Sequence, residues 1–239
     1  PDNINYLYKN DLMLLDFMAS NDWTRAVYFT SLSDIKNVLG IDKYLHQEGL
    51  SHRFIPVVAS DYHKDAGGVY IDGSYELLMA DDIRWGNLNL PEVSVDPESR
   101  RNLLFVKQAY MRLADALVNR NQNDSAIAVL DRCQEFFPDE KVPYDLYMMA
   151  YPEIYYRAGA MEKGDELINK IIDNSTDNLR YFSELDDRFI PYYSESIREN
   201  LAIINEMSNV SSKYKRTELA NSLNNLLEQE FDKFLSVFN

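Results

Sequence analysis

Residues 110–138 read YMRLADALVNRNQNDSAIAVLDRCQEFFP, and this stretch decides how the chain folds. Tyr110, Leu113, Ala114 and Leu117 recur at three- and four-residue intervals, which places them on one face of a helix. Ala126, Leu130 and Cys133 do the same on a second helix, with small residues where two helices must approach. Pro138 closes the unit, because proline cannot continue a helix.

Large residues on the first helix, small ones on the second and a closing proline make the pattern of the tetratricopeptide repeat, a helix–turn–helix unit of about 34 residues. A second unit fits less well, with Tyr151 and Tyr155 on its first helix, then Gly159, Gly164, Ile168 and Ile171. Its spacing is longer and its closing proline is missing. Ile197, Leu201 and Ile204 continue the helical period, as do Leu219, Leu223, Leu226, Leu227, Phe231, Phe234 and Phe238. They predict two or three further helices. Asp96-Pro97-Glu98 is where the helical run begins: an N-cap carboxylate, proline at the first helical position, and a second acid near the helix N-terminus.

Upstream the character is different. Residues 11–20 predict a helix capped by Asn10 or Asp11. Residues 25–30 and 52–58 are rich in β-formers, and Pro56 suggests that the second strand lies at an edge. Between them, Ser33 and Asp34 cap a helical stretch that breaks at Gly40 and resumes through Tyr44-Leu45-His46 to Gly49. Strand, helix, strand predicts a βαβ unit with a right-handed crossover. Gly67-Gly68 and Val69-Tyr70-Ile71 offer a third strand, and 74–81 a turn or two of helix. The expected class is therefore α+β and mostly helical, with a small mixed α/β region over 1–92 and a tetratricopeptide-like region over 93–239.

Composition narrows the function. The 239 residues hold 24 Lys+Arg against 39 Asp+Glu, a net charge of −15, which excludes a nucleic-acid binder and a basic lipid-docking surface. The apolar share of 46% supports a real core, so wholesale disorder is excluded. The one cysteine, Cys133, excludes an intramolecular disulfide and a cysteine-based zinc cluster. No window is apolar enough for a membrane helix. The chain opens at Pro1 and reads as the C-terminal part of something longer.

No catalytic constellation emerges from the residues. His46 and His52 straddle Gly49 at a spacing that suits no helical ligand pair, and His63 lies in a charged loop. The carboxylate pairs Asp81-Asp82, Asp139-Glu140 and Asp186-Asp187 are sequence neighbours that point apart on a helix. No serine sits in a nucleophile elbow, and Gly67-Gly68 lacks the spacing of a phosphate cradle. The expectation is no catalytic residue, no metal and no cofactor. The tyrosines are more suggestive: Tyr147, Tyr151 and Tyr155 share a helical face and form either a packing stripe or an aromatic row for a glycan or peptide. Trp85, in Arg84-Trp85-Gly86-Asn87, either plugs the joint between the two regions or joins that binding surface.

Several stretches together resemble a known family. They are Asn10 to Trp23 running into Val27-Tyr28-Phe29-Thr30, then Tyr44 to Leu50 with Arg53 and Pro56, Arg84 to Leu88, and Asp96 to Asn102. They are similar to the region after the membrane part in the Bacteroidetes domain-of-unknown-function family 2723, glycosyltransferase-like multi-pass proteins related to transmembrane protein O-mannosyltransferases. The resemblance spans about residue 6 to residue 185. It implies a periplasmic module attached through upstream membrane helices, with sugar transfer belonging to those helices and no catalytic residue on this chain. Such a module would bind an acceptor or a partner protein. The alternatives are a stand-alone helical-repeat scaffold, or an enzyme using the α/β part.

Overall fold

Helical hairpins dominate the computed structural model, which describes residues 7–30, 40–58, 67–88, 90–186 and 188–235. Two units divide between Ile83 and Arg84, earlier than the expected boundary after residue 92. The reason is that the segment after residue 83 is tied into the helical unit. Lys141 Nζ donates to Pro91 O at 2.7 Å and to Val93 O at 2.6 Å, and Val95 is buried.

The first unit opens with α1 (Lys9–Ser20), which starts before the expected caps. Asp11 lies inside the helix, and its Oδ2 reaches back to accept from Tyr8 N at 2.8 Å, satisfying a backbone donor that the helix leaves open. Four short strands follow: β1 (Tyr28–Phe29), β2 (Leu45–Glu48), β3 (Ser51–Phe54) and β4 (Gly68–Val69), in the order β1-β3-β2-β4. α2 (Ile71–Leu78) completes the unit.

Two expectations fail here. Residues 45–48 are a strand and not a helix, because their burial alternates: Leu45 and Gln47 are inside, His46 and Glu48 half out. The βαβ unit is absent as well, since β1 and β3 pair antiparallel, with Tyr28 opposite Arg53. β2 and β3 form a tight antiparallel hairpin through Gly49, at φ +65°, and Leu50. The parallel pairing joins β2 to β4, with His46 opposite Gly68. β3 is thus an inner strand that ends at Phe54, and Pro56 lies beyond it. The helix start expected at Ser33-Asp34 lies outside the described residues. Ser74 on α2 fastens the hairpin: its Oγ donates to Gln47 O at 2.8 Å and accepts from Gly49 N at 3.2 Å. Leu14, Phe29 and Phe54 pack on buried Ile41 and Leu45.

The second unit is three helical hairpins: α3 (Pro97–Asn119) with α4 (Asn123–Phe136), α5 (Ala150–Arg157) with α6 (Met161–Ser183), and α7 (Ser194–Lys213) with α8 (Thr217–Lys233). α3 begins as expected, with Asp96 Oδ1 accepting from Glu98 N and Ser99 N. All seven repeat positions of the first hairpin, from Tyr110 to Cys133, are buried.

The three hairpins share one turn. Asn121 (φ +58°), Gly159 (φ +89°) and Lys215 (φ +60°) each take the left-handed conformation just past the first helix. The next residue's N–H then bonds back to the first helix at 2.9 Å in every case: Gln122 to Leu117, Ala160 to Tyr155, and Arg216 to Ser211. This is the Schellman arrangement, which satisfies carbonyls that the helix end leaves open. Five residues past each left-handed position stands a small buried residue: Ala126, Gly164 or Ala220. At Gly164 a Cβ would overlap the Tyr156 ring, so the missing side chain lets that ring lie directly on the α6 backbone. In α8 the buried residues are Ala220, Leu223 and Glu230, with Phe234 buried just past the helix end, whereas Phe231 of the expected apolar stripe is exposed.

Two outcomes are expected from this geometry. Ala126→Leu puts three extra carbons into a fully buried crossing and lowers stability by about 1–3 kcal/mol, read as a lower urea midpoint. Lys215→Gly relieves a side chain held at positive φ and raises stability by about 0.5–1 kcal/mol in the same melts.

Candidate functional site

One groove of the helical unit is bounded by α4 and α6, with α5 as its floor. It has a volume of about 410 Å³ and is lined by Asp131, Gln134 and Glu135 of α4, Tyr155 of α5, and Lys163, Glu166, Leu167 and Lys170 of α6. Helical spacing generates it: Asp131, Gln134 and Glu135 are three and four apart, and so are Lys163, Glu166, Leu167 and Lys170.

At the floor, the Tyr155 hydroxyl donates to Asp131 Oδ1 at 2.8 Å and accepts from Gln134 Nε2 at 2.6 Å. Lys163 Nζ meets the other Asp131 oxygen at 2.5 Å. Burial, and next the bond to Asp131, push the Tyr155 phenol far above its ordinary value, so it keeps its proton and acts as a fixed donor. Chemically the groove offers carboxylate acceptors, ammonium donors and one amide, with Leu167 as an apolar contact. That inventory suits hydrogen bonds to peptide backbone or sugar hydroxyls.

The expected aromatic row does not exist as a surface. Tyr147 is 51% exposed but sits in a 3-10 turn (Leu146–Met148), its N–H held by Asp145 Oδ1 at 3.0 Å, and so leaves the α5 face. Tyr151 is fully buried, its hydroxyl donating to Lys107 O at 2.6 Å and lying 3.2 Å from Cys133 Sγ. Tyr155 has no exposed surface either, and touches the groove only as its floor. Trp85 is half-buried, edge-on to Phe137 at 5.2 Å within the helical unit. A buried hydroxyl needs a partner, and two of these tyrosines found theirs between helices. The groove's own residues went unnoticed in the sequence, because they are the ordinary polar positions of a surface helix.

Reactive groups are sealed or dispersed. Burial pushes the Cys133 thiol up to about 12, out of the nucleophilic range. His46 pairs with Arg53 and His52 with Gln47 across the β2–β3 hairpin, so the two histidines project to opposite faces of the sheet. His46 Nε2 lies 3.1 Å from Val57 O, and His63 is outside the described residues. Among the described residues, no group of three His, Cys, Asp or Glu stands ready to hold a metal ion. None of their helices is long and apolar enough to cross a membrane. Lys107 is a buried cation. It is 1% exposed, its Nζ donates to Val142 O at 2.8 Å, and it lies 4.6 Å from the Tyr144 ring centre. Burial lowers it from lysine's usual 10.5 to about 8, with Cys133, Asp145 and Asp139 opposing the shift.

Residues 3–72 match the family described as TMEM260-associated domain 2, a stretch running from before α1 to the first turn of α2. No curated protein and no solved structure matches the chain.

Lys107 gives a pH test of the packing. Its folded value of about 8 lies below its unfolded value, so the unfolded chain holds more protons between about 8 and 10.5, and stability rises with pH there. Relative to Lys107→Met, the native chain should gain about 2 kcal/mol between about pH 7 and pH 10. Parallel stability–pH profiles for the two proteins would place the ammonium in water.

Proposed function

We propose that this chain is a non-catalytic module of a TMEM260-like membrane protein, lying on the extracytoplasmic, periplasmic side, where its helical unit binds an acceptor or partner polypeptide. The observation that carries the reading is the match of residues 3–72 to a domain defined by its association with TMEM260. The likeness of further stretches, through Asn102, to glycosyltransferase-like family 2723 supports the finer assignment. In that assignment, sugar transfer belongs to the membrane-embedded part and recognition to this one.

The groove supports the binding half. Asp131 and Glu135 of α4 face Lys163 and Lys170 of α6 across it, with Glu166 beside the lysines, a mixed-charge lining that pairs with backbone amides and with alternating side-chain charge. A recognition role is supported by the groove's floor, where the tyrosine is locked as a donor and Asp131 is already paired with Lys163.

A peptide and glycan array probed with the full chain tests the reading. A peptide hit should weaken about tenfold or more in a Glu166→Ala/Lys170→Ala double variant, which removes one carboxylate and one cation, both exposed. Peptide hits indifferent to those changes, or turnover of a sugar donor by the isolated chain, would contradict it.

A further inference from the structure

The tyrosines of the helical unit fall into two groups. Tyr151, Tyr155 and Tyr156 are buried, and each closes a hydrogen bond between helices. Tyr181 and Tyr193 lie where α6 ends and α7 begins, and they stay 55% and 36% exposed. Phe182 is buried between these two tyrosines and the core: it stacks on Tyr193 with ring centres 5.1 Å apart, and its centre is 5.6 Å from that of Tyr181. The Tyr181 and Tyr193 planes stand at 86° to one another, 6.5 Å apart between centres. Two rings set in this way form adjacent walls of a corner, steadied by the phenylalanine that both touch.

The charge around the corner indicates what it takes. Asp177, Tyr181 and Glu184 are spaced four and three apart and are all exposed, so Tyr181 has a carboxylate one turn before it and another one turn after it on the same helix face. Residues 177–195 hold five acids against two arginines. Both arginines are already paired, Arg180 with Asp177 at 2.8 Å and Arg188 with Asp186 at 3.4 Å. Glu184 has no ion pair among the described residues. Tyr181 also stands in the last turn of α6, where the helix dipole adds negative potential. The connector from α6 to α7 displays the matching chemistry within the chain itself: the Arg188 guanidinium lies 4.8 Å from the Phe189 ring centre while Asp186 pairs with it. A ring and a carboxylate together hold a cation there.

We propose that the Tyr181–Tyr193 corner, flanked by Asp177 and Glu184, docks the arginine or lysine side chains of a basic polypeptide segment. The cation lies against the exposed ring surface, and the neighbouring carboxylates, Glu184 foremost, neutralise it. A sugar suits the corner less well, because saccharide hydroxyls are met by side-chain amides as well as carboxylates, and residues 179–195 contain no Asn or Gln. An anionic lipid surface would be repelled by the same acids. The corner lies 11 residues beyond Lys170, the last groove residue on α6, or roughly 16 Å along the helix. It is therefore a second site on the helical unit and does not depend on the groove.

Fluorescence anisotropy tests the proposal, with the full chain titrated into a labelled Gly-Ser peptide that carries several arginines. The native chain should bind it in the micromolar range. Tyr181→Ala should weaken binding about tenfold, whereas Tyr181→Phe should keep the native affinity, because the ring and not the hydroxyl holds the cation. Glu184→Gln removes an exposed charge without touching the core, and should weaken binding about threefold. Glutamine in place of every arginine in the peptide should abolish binding. No binding by the native chain would overturn the proposal. So would an unchanged affinity in Tyr181→Ala and Glu184→Gln, which would leave only diffuse attraction to an acidic protein, or equal binding of the glutamine peptide, which would make the contact apolar. None of these measurements involves a groove residue, so the groove stands or falls separately by its own array.

Discussion

The helical unit depends on how closely two helices can approach just after a three-residue turn. A left-handed residue reverses the chain at Asn121, Gly159 and Lys215, and the second helix begins two residues later. It then crosses the first at Ala126, Gly164 or Ala220, where at Gly164 even a methyl group would overlap Tyr156. The small residue at the crossing, against which the Tyr156 ring lies in the middle hairpin, sets the depth to which the pair interdigitates. The large side chains of the first helix, Tyr110 and Leu113 or Tyr151 and Tyr155, fill the space around it. Enlarging the small residue would force every layer behind it to move, because a close-packed interior has no room to absorb the change.

Polar ties then fix which hairpin follows which. The Tyr151 hydroxyl binds Lys107 O on α3, so the second hairpin is keyed to the first by a bond that water cannot replace. Arg157 pairs with Asp115 and Asn119 on α3, reinforcing the same contact from the half-exposed side. Asp165 on α6 collects the Tyr156 hydroxyl at 2.6 Å and the Arg216 guanidinium, which joins the α7–α8 turn to the middle hairpin. Glu153 does the same with Lys213 at 2.6 Å and Tyr214 at 3.1 Å. Tyrosine serves these seams because it fills space like phenylalanine and still closes a hydrogen bond at its tip. The abundance of tyrosine thus reflects inter-helix packing, and the acid excess is partly spent on ties of this kind.

The groove follows from the same packing. α4 and α6 are second helices of consecutive hairpins, and their polar residues face each other because the small positions turn the opposite sides inward. Tyr155 belongs to both the core and the groove: its ring is buried with α5, and its hydroxyl organises Asp131, Gln134 and, through Asp131, Lys163. Lys107 shows the cost of such packing, a cation held at a carbonyl and an aromatic face with no carboxylate in direct contact. A group placed that way is tolerated where its stem fills a gap and its three protons cannot all be satisfied.

By itself the sequence determined the elements whose signal is local. Asp96-Pro97 started α3, the spacing from Tyr110 to Cys133 predicted the first hairpin, and Gly159 with Gly164 marked the second, because caps, turn glycines and helical periods act over a few residues. The third hairpin turned at Lys215, a residue with no preference for the left-handed conformation, so its turn left no local mark. Residues 45–48 suit a helix or a strand equally, and only pairing with β3 and β4 decided between them. Whether Tyr151 and Tyr155 faced a ligand or the core, and which polar residues of α4 and α6 would meet, was decided by the tertiary structure alone. Those outcomes depend on contacts between residues far apart in the chain, and a polar side chain's local surroundings are the same on an open helix face and in a groove.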